Sequence, residues 1–290
     1  MIEEDVLRRF LFEDLGIRGV WVNITASWQT AKHHQEGPEN AQLLLGEGLA
    51  AVALLSATIK FNGSMIMQIQ GEGDFKALVA QSTHDRNIRG LIRSELQVTA
   101  GTLSEMFGNN GRLVLTIEPD DANPYQGIVA LDGNNLADAL ETYFEKSEQL
   151  NTRVWLFANA HTAMGLLIQE LPSKDLDSKE WERVQLLANT LTETEALSWG
   201  SEELLYKLFN EDTVRLYEPE AVQFKCSCGR PRIERTLRAL GAEELNSILA
   251  EQGKIEVNCE FCGAHYQFDA IDIAKALNED NVDVSSDTLH

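Results

Sequence analysis

All four cysteines of this 290-residue chain fall in its last quarter, at Cys226, Cys228, Cys259 and Cys262. They form a Cys-x-Cys pair, thirty intervening residues and a Cys-x-x-Cys pair. A two-residue spacer in a tight turn aims both sulfurs at one point, and Gly263 supplies the backbone freedom that turn needs. The one-residue spacer of Cys226-Ser227-Cys228 is tighter but still lets both thiolates reach one ion. Four thiolates make a soft, tetrahedral donor set that favours Zn2+ over hard cations, and the spacings fit the usual iron–sulfur runs poorly. His265 stands three residues past Cys262 as a substitute ligand, but four sulfurs already complete the shell.

Two readings of the cluster follow from the residues. In one it is a structural staple for a C-terminal segment too short and too poor in large apolar residues to hold itself together. In the other it is a redox switch. Metal-bound thiolates are already deprotonated, the reactive state, and Lys225, Arg230, Arg232, Arg235 and Arg238 are expected to favour thiolate further. The same arginines also allow a zinc-ribbon regulator that binds nucleic acid. Against it stands the composition: 24 Lys and Arg against 46 Asp and Glu give a net charge of −22, which repels phosphates and anionic membranes. A thiol–disulfide oxidoreductase requires Cys-x-x-Cys at the start of a helix after a strand. Here the motif precedes Gly263 and a strand expected over His265–Phe268.

The remainder reads as an α+β protein. At 43% hydrophobic residues the chain can build a core. Strand patterns occur at Val20–Ile24, Met65–Ile69, Leu113–Ile117, Gly127–Leu131 and Val154–Phe157, with Gly165–Leu171 expected to pair with the strand before it. An almost continuously apolar helix is predicted from Asn40 to Lys60, with Ala50, Ala51, Ala53 and Ala57 forming a small-residue face. A second is predicted from Asn134 to Leu150. Strands often neighbour one another in sequence, so a layered sheet domain with packed helices is expected over 1–172. A charged helical linker follows over 173–221, with Trp181, Val184, Leu187 and Leu191 on one face and Leu204, Leu205, Leu208 and Phe209 on another. The small zinc-binding module with its four cysteines covers 222–276 and a disordered acidic tail 277–290. No run approaches the roughly 18 uninterrupted apolar residues of a membrane span, and the acidic start Met1-Ile2-Glu3-Glu4-Asp5 does not read as a secretory or transit peptide. A cytoplasmic location is therefore expected. Gly71-Glu72-Gly73-Asp74 reads as a turn and His33-His34 as a solvated helix end. No constellation for acid–base or nucleophilic catalysis is apparent, so the chain does not read as an enzyme.

The cysteine pattern, together with Tyr143-Phe144-x-x-Ser147-Glu148-Gln149-Leu150, Tyr125-Gln126-Gly127, Ala57-Thr58-Ile59-Lys60-Phe61 and Ser247-Ile248-Leu249-Ala250-Glu251, resembles the redox-regulated heat shock protein 33 family (the 33 kDa chaperonin) over nearly the whole chain. The sequence departs from the family pattern at Asn151, where Pro is frequent, and at Gly229 and Pro231 after Cys228. The resemblance implies an ATP-independent holdase, inactive while reduced and zinc-bound. On oxidation it implies disulfides Cys226–Cys228 and Cys259–Cys262, loss of zinc, unfolding of the module and linker, and dimerisation. Unfolding client proteins are then bound and later passed to a DnaK-type foldase. The amphipathic linker and the high negative charge fit such a protein. One needs to leave its surface, and the other keeps a partly unfolded chain in solution.

Overall fold

The computed structural model describes residues 3–98, 101–172 and 178–278. The chain divides into two compact units, Met1–Lys225 and Cys226–His290. In chain order the first unit contains β1 (Val6–Phe12), β2 (Ile17–Ile24), α1 (Ala26–His33), α2 (Glu39–Thr58), β3 (Gly63–Gln70), β4 (Phe75–Thr83), β5 (Asn87–Ser94), α3 (Leu103–Phe107), β6 (Arg112–Pro119), β7 (Tyr125–Ala130), α4 (Leu136–Tyr143), a π-helical turn (Phe144–Glu148), β8 (Thr152–Ala158) and β9 (Ala163–Glu170). It continues through α5 (Ser178–Ala188), α6 (Glu193–Ala196), α7 (Ser201–Phe209), β10 (Val214–Leu216), β11 (Glu220–Ala221) and β12 (Gln223–Phe224). The second unit holds α8 (Arg230–Arg238), α9 (Ala242–Gln252), β13 (Ile255–Asn258), β14 (His265–Phe268) and α10 (Ala270–Asn278).

Two sheets build the first unit. One runs β10-β1-β2-β9-β8, with β11 also on β1; the other runs β12-β5-β4-β3-β6-β7. Helix α2 packs against both. A helix apolar all round must be buried all round, and α2 contributes Leu45, Leu49, Val52 and Leu54 at 0% exposure to the main core. Close approach explains its glycines. A Cβ on Gly46 would lie 3.1 Å from the Ala158 methyl and one on Gly48 3.2 Å from Leu78. By length and hydropathy α2 could cross a membrane, but 78% of its most apolar window is buried inside the fold. Where it ends, Arg9 donates to the Ala57 carbonyl (3.2 Å) and Arg86 to that of Ser56 (3.0 Å), satisfying carbonyls the last turn leaves open.

The first sheet is covered on its other face too. Val20, Val22 and Ile24 join the main core, whereas Ile17 and Trp21 join a second cluster with Phe10, Phe12, Met164, Leu166 and Ile168. Strand alternation sends one set to each side. The covering side chains come from α5–α7 and the turn between α5 and α6: Val184, Ala188, Leu191, Ala196, Leu204, Leu205, Leu208 and Phe209. The amphipathic faces read from the sequence are thus packed on the sheet, with Trp181 and Leu187 at the margin.

Several expectations are corrected. The helix expected to reach Leu150 stops at Tyr143 and widens into the π-turn, with Gln149 left-handed at φ 55°. The extra residue per turn keeps adjacent Tyr143 and Phe144 both buried. The stretch 214–224 is not helical. It forms three short strands, because the outer edge of β1 and the edge of β5 accept them (Phe10↔Leu216, Leu7↔Glu220, Ile88↔Phe224). Leu277 and Asn278, expected in the tail, belong to α10; the rest of that tail, 279–290, lies outside the described residues, as does 173–177 of the linker. β1, β4 and β5 were not anticipated. The turn at Gly71–Gly73 is present. Its Glu72 and Gly73 amides donate to the Phe107 carbonyl (both 2.9 Å), and His33 and His34 are exposed at the end of α1.

Candidate metal centre

Each pair of cysteines sits on a local structure that its neighbours dictate. Cys226 and Cys228 lie in extended chain just before α8. Gly229 is its N-cap and Pro231 occupies its first turn, where the missing N–H costs nothing. The departure from the family pattern therefore starts a helix immediately after the second thiol. Cys259 and Cys262 lie on the turn of the β13–β14 hairpin. The Gly263 amide donates to the Cys259 carbonyl (2.7 Å), the Cys259 amide to the Ala264 carbonyl (2.9 Å), and Gly263 takes φ 66°. That conformation suits glycine.

The four sulfurs all lie within 4.8 Å of one another. Cys226 Sγ is 3.7 Å from Cys259 Sγ, and Cys228 Sγ is 3.3 Å from Cys262 Sγ. A tetrahedron with metal–sulfur distances of about 2.3 Å has sulfur–sulfur edges of about 3.8 Å. The four thiols are unbridged, and their soft donor chemistry and convergence fit Zn2+. All four candidate ligands named from the sequence are brought together. His265 is not among them: its Nδ1 lies 2.7 Å from Asn258 Oδ1, and its Nε2 3.7 Å from Glu256.

Tyr266, which the spacing of the cysteines does not reveal, donates its hydroxyl to Cys228 Sγ (3.2 Å). Burial pushes the Cys228 thiol up, but this hydrogen bond and those from Cys262, Cys226 and Cys259 outweigh it and bring it down to about 7. Burial raises Cys226 and Cys262. Cys228 is thus the readiest of the three shifted thiols to ionise, while burial favours the protonated form of Cys226 and Cys262.

Arg230 and Arg232 are engaged by groups other than the thiols. Arg230 pairs with Asp272 (2.6 Å) and Glu234 (3.2 Å), donates to the Gln267 carbonyl (3.0 Å), and stacks on Phe268 at 4.4 Å. Arg232 donates to Ser227 Oγ (2.9 Å). Carboxylates on α8 and α10 hold Arg230 for packing, and the largest effects on the thiols come from burial, backbone amides, Tyr266 and the thiols themselves. Beneath the cluster lies a small core of five buried residues, Leu237, Leu245, Ile255, Phe268 and Ile273.

A sequence model of the family described as Hsp33 protein matches residues 5–269. The 33 kDa chaperonin of Nitrosococcus oceani is 55% identical over 279 residues, covering 96% of each chain. That of Shewanella denitrificans is 42% identical over 284 residues, covering 98% of each. The crystal structure of the 33 kDa chaperonin (heat shock protein 33 homolog) of Thermotoga maritima matches this fold with a TM-score of 0.80 at 22% identity, covering 96% of this chain and 99% of that one.

Proposed function

The chain belongs to the Hsp33 chaperone family, and on that premise we propose that it is a redox-regulated, ATP-independent holdase whose switch is the Cys226, Cys228, Cys259 and Cys262 cluster. The observation that carries this reading is the convergence of four thiols, within 4.8 Å, in a unit whose apolar cluster, among the described residues, has only five buried side chains. So small a core needs a staple. When bound, Zn2+ holds the four sulfurs together and keeps them deprotonated.

A peroxide would convert two of these thiolates to one disulfide: their two electrons break the O–O bond, and two waters leave after taking up two protons from solvent. Two peroxides thus consume the whole donor set, and the metal is lost with it. Pairing as Cys226–Cys228 and Cys259–Cys262 is what the family resemblance implies; in the folded, reduced unit Cys228 and Cys262 lie 3.3 Å apart and Cys226 and Cys259 3.7 Å apart. Loss of the unit then releases α5–α7. The uncovered sheet face, with Phe10, Phe12, Trp21, Met164 and Leu166, is a contiguous apolar surface of the kind that binds unfolded chains. Two activated copies dimerise, and bound clients pass to a DnaK-type foldase. The protein works in the cytoplasm, where the thiols stay reduced until stress.

The test is to count zinc and free thiols before and after peroxide at elevated temperature, to map disulfides by mass spectrometry, and to follow aggregation of a denatured client in parallel. The expected result is loss of one zinc and four thiols together with suppressed aggregation. Zinc retained under these conditions, with the client still aggregating, would refute the reading.

A further inference from the structure

A second site lies away from the cysteines, at the end of α2 between the two sheets. A cavity of about 310 Å3 opens there, lined by Leu55, Met65, Leu115, Ile117 and Phe144, with Arg18 among its walls. That is the size and character of a small-molecule pocket: mostly apolar, with few polar groups. It adjoins a wider basic cleft that shares Arg18, Thr58 and Ile59 and adds Arg9, Lys60 and Arg86. In a chain of net charge −22, such a concentration of cations needs a reason. Arg9 and Arg86 have one, since both cap the carbonyls of α2 and both pair with Glu220.

Arg18 has no such reason. It is half-buried, and no carboxylate pairs with it among the described residues. Its Nε and Nη2 both donate to a single oxygen, Gln169 Oε1, at 3.1 and 2.5 Å. Gln169 is 1% exposed, and its amide donates to Thr152 Oγ1 (2.7 Å), whose hydroxyl donates to the Leu150 carbonyl (3.2 Å). A buried, fully connected chain of this kind fixes what it holds. It holds the guanidinium at the rim of the cavity with N–H groups to spare. Glu148, the acid on the same wall, is taken by the Tyr143 hydroxyl (2.9 Å).

From this we infer that the pocket binds a single-chain amphiphile with an anionic head, a medium-chain fatty acid, its carboxylate on Arg18 and its hydrocarbon chain among Leu55, Met65, Leu115 and Phe144. Guanidinium and carboxylate match as a charge-assisted pair, and the apolar walls supply the remaining affinity.

The experiment is calorimetric titration of the reduced, zinc-loaded full-length protein with decanoate below its micelle concentration. The controls are decanol (tail only), acetate (head only) and vesicles containing anionic phospholipid. The expected result is saturable binding of one decanoate per chain, at least tenfold weaker for decanol, for acetate and in Arg18→Met. Ile117→Trp, which fills the cavity and leaves Arg18 in place, abolishes binding and covers the case in which Arg18→Met does not fold. The phospholipid vesicles, which carry no free acid, give no binding. Equal affinity for decanol, an unchanged Kd in both variants, or binding to vesicles alone would overturn the proposal.

Discussion

Glu47 is a carboxylic acid in the middle of the most apolar helix, and no hydrogen bond ties it down among the described residues. It lines a cleft with Asn135, Trp155 and Phe157. Burial, and then the charge of Glu193 on α6, push it up from 4.5 to about 7. The native state therefore holds this proton more tightly than the unfolded chain does. Its contribution is complete below pH 4.5 and is lost as pH rises through 7. At about 1.4 kcal/mol per pKa unit, the stability difference between wild type and Glu47→Gln should fall by about 3 kcal/mol across that window, read from urea unfolding of both proteins at several pH values. A flat difference would show that Glu47 is solvated in the native state. Tyr266 makes a second prediction at this scale. Removing a group that orients a metal ligand typically costs 10- to 100-fold in affinity, so Tyr266→Phe should lose zinc to a chelator at a correspondingly lower chelator concentration. Neither residue's role was legible in the sequence. Glu47 falls within the apolar run Asn40–Lys60, but Glu193 is brought to it only by the fold. Tyr266 reaches Cys228 through the register of a hairpin, which residue spacing does not encode.

Among the elements, those with strong periodicity were readable and those made by a neighbour's edge were not. α2, β3, β6 and β8 announce themselves by long apolar or alternating runs. β10, β11 and β12 have three, two and two residues, too few for any period to show, and they exist because β1 and β5 offer unpaired edges. The short helix α6 is the opposite case, for its start is written locally. Thr192 accepts from the Glu195 amide, and the Glu195 carboxylate accepts from the Thr192 amide (3.0 Å), a capping box. A four-residue helix has little else of its own. Thr192→Ala should loosen α6 and α7 by about 1 kcal/mol, seen as faster amide exchange over 192–209 with exchange in α2 unchanged. If that loosening also lowers the peroxide needed to suppress client aggregation, the segment is the part whose release activates the protein.

For the whole molecule, the division into units at Lys225 makes a separable prediction. Chelation of zinc from the reduced protein should abolish amide protection in residues 226–278 and weaken it over α5–α7, while the two sheets and α2 of the first unit keep theirs. Simultaneous collapse of both would show that the metal staples the entire chain. The α+β class and the convergence of the four cysteines were legible because both rest on local pattern. The two-sheet packing around α2 was not, since strand order is a long-range property.

The pairing of β1 with β10 and β11 has a consequence for how the protein is made. Phe12 meets Val214, about 200 residues further along the chain. At the usual 5–20 residues per second of synthesis, roughly 10–40 s separate the appearance of that edge on the ribosome from the arrival of the strand that closes it. Throughout that interval the nascent chain carries an open sheet edge, and beside it the uncovered Phe10, Phe12 and Trp21. Every new copy thus passes through a sticky intermediate during its own birth, with the same apolar face uncovered that the proposed switch would lay bare in the finished protein.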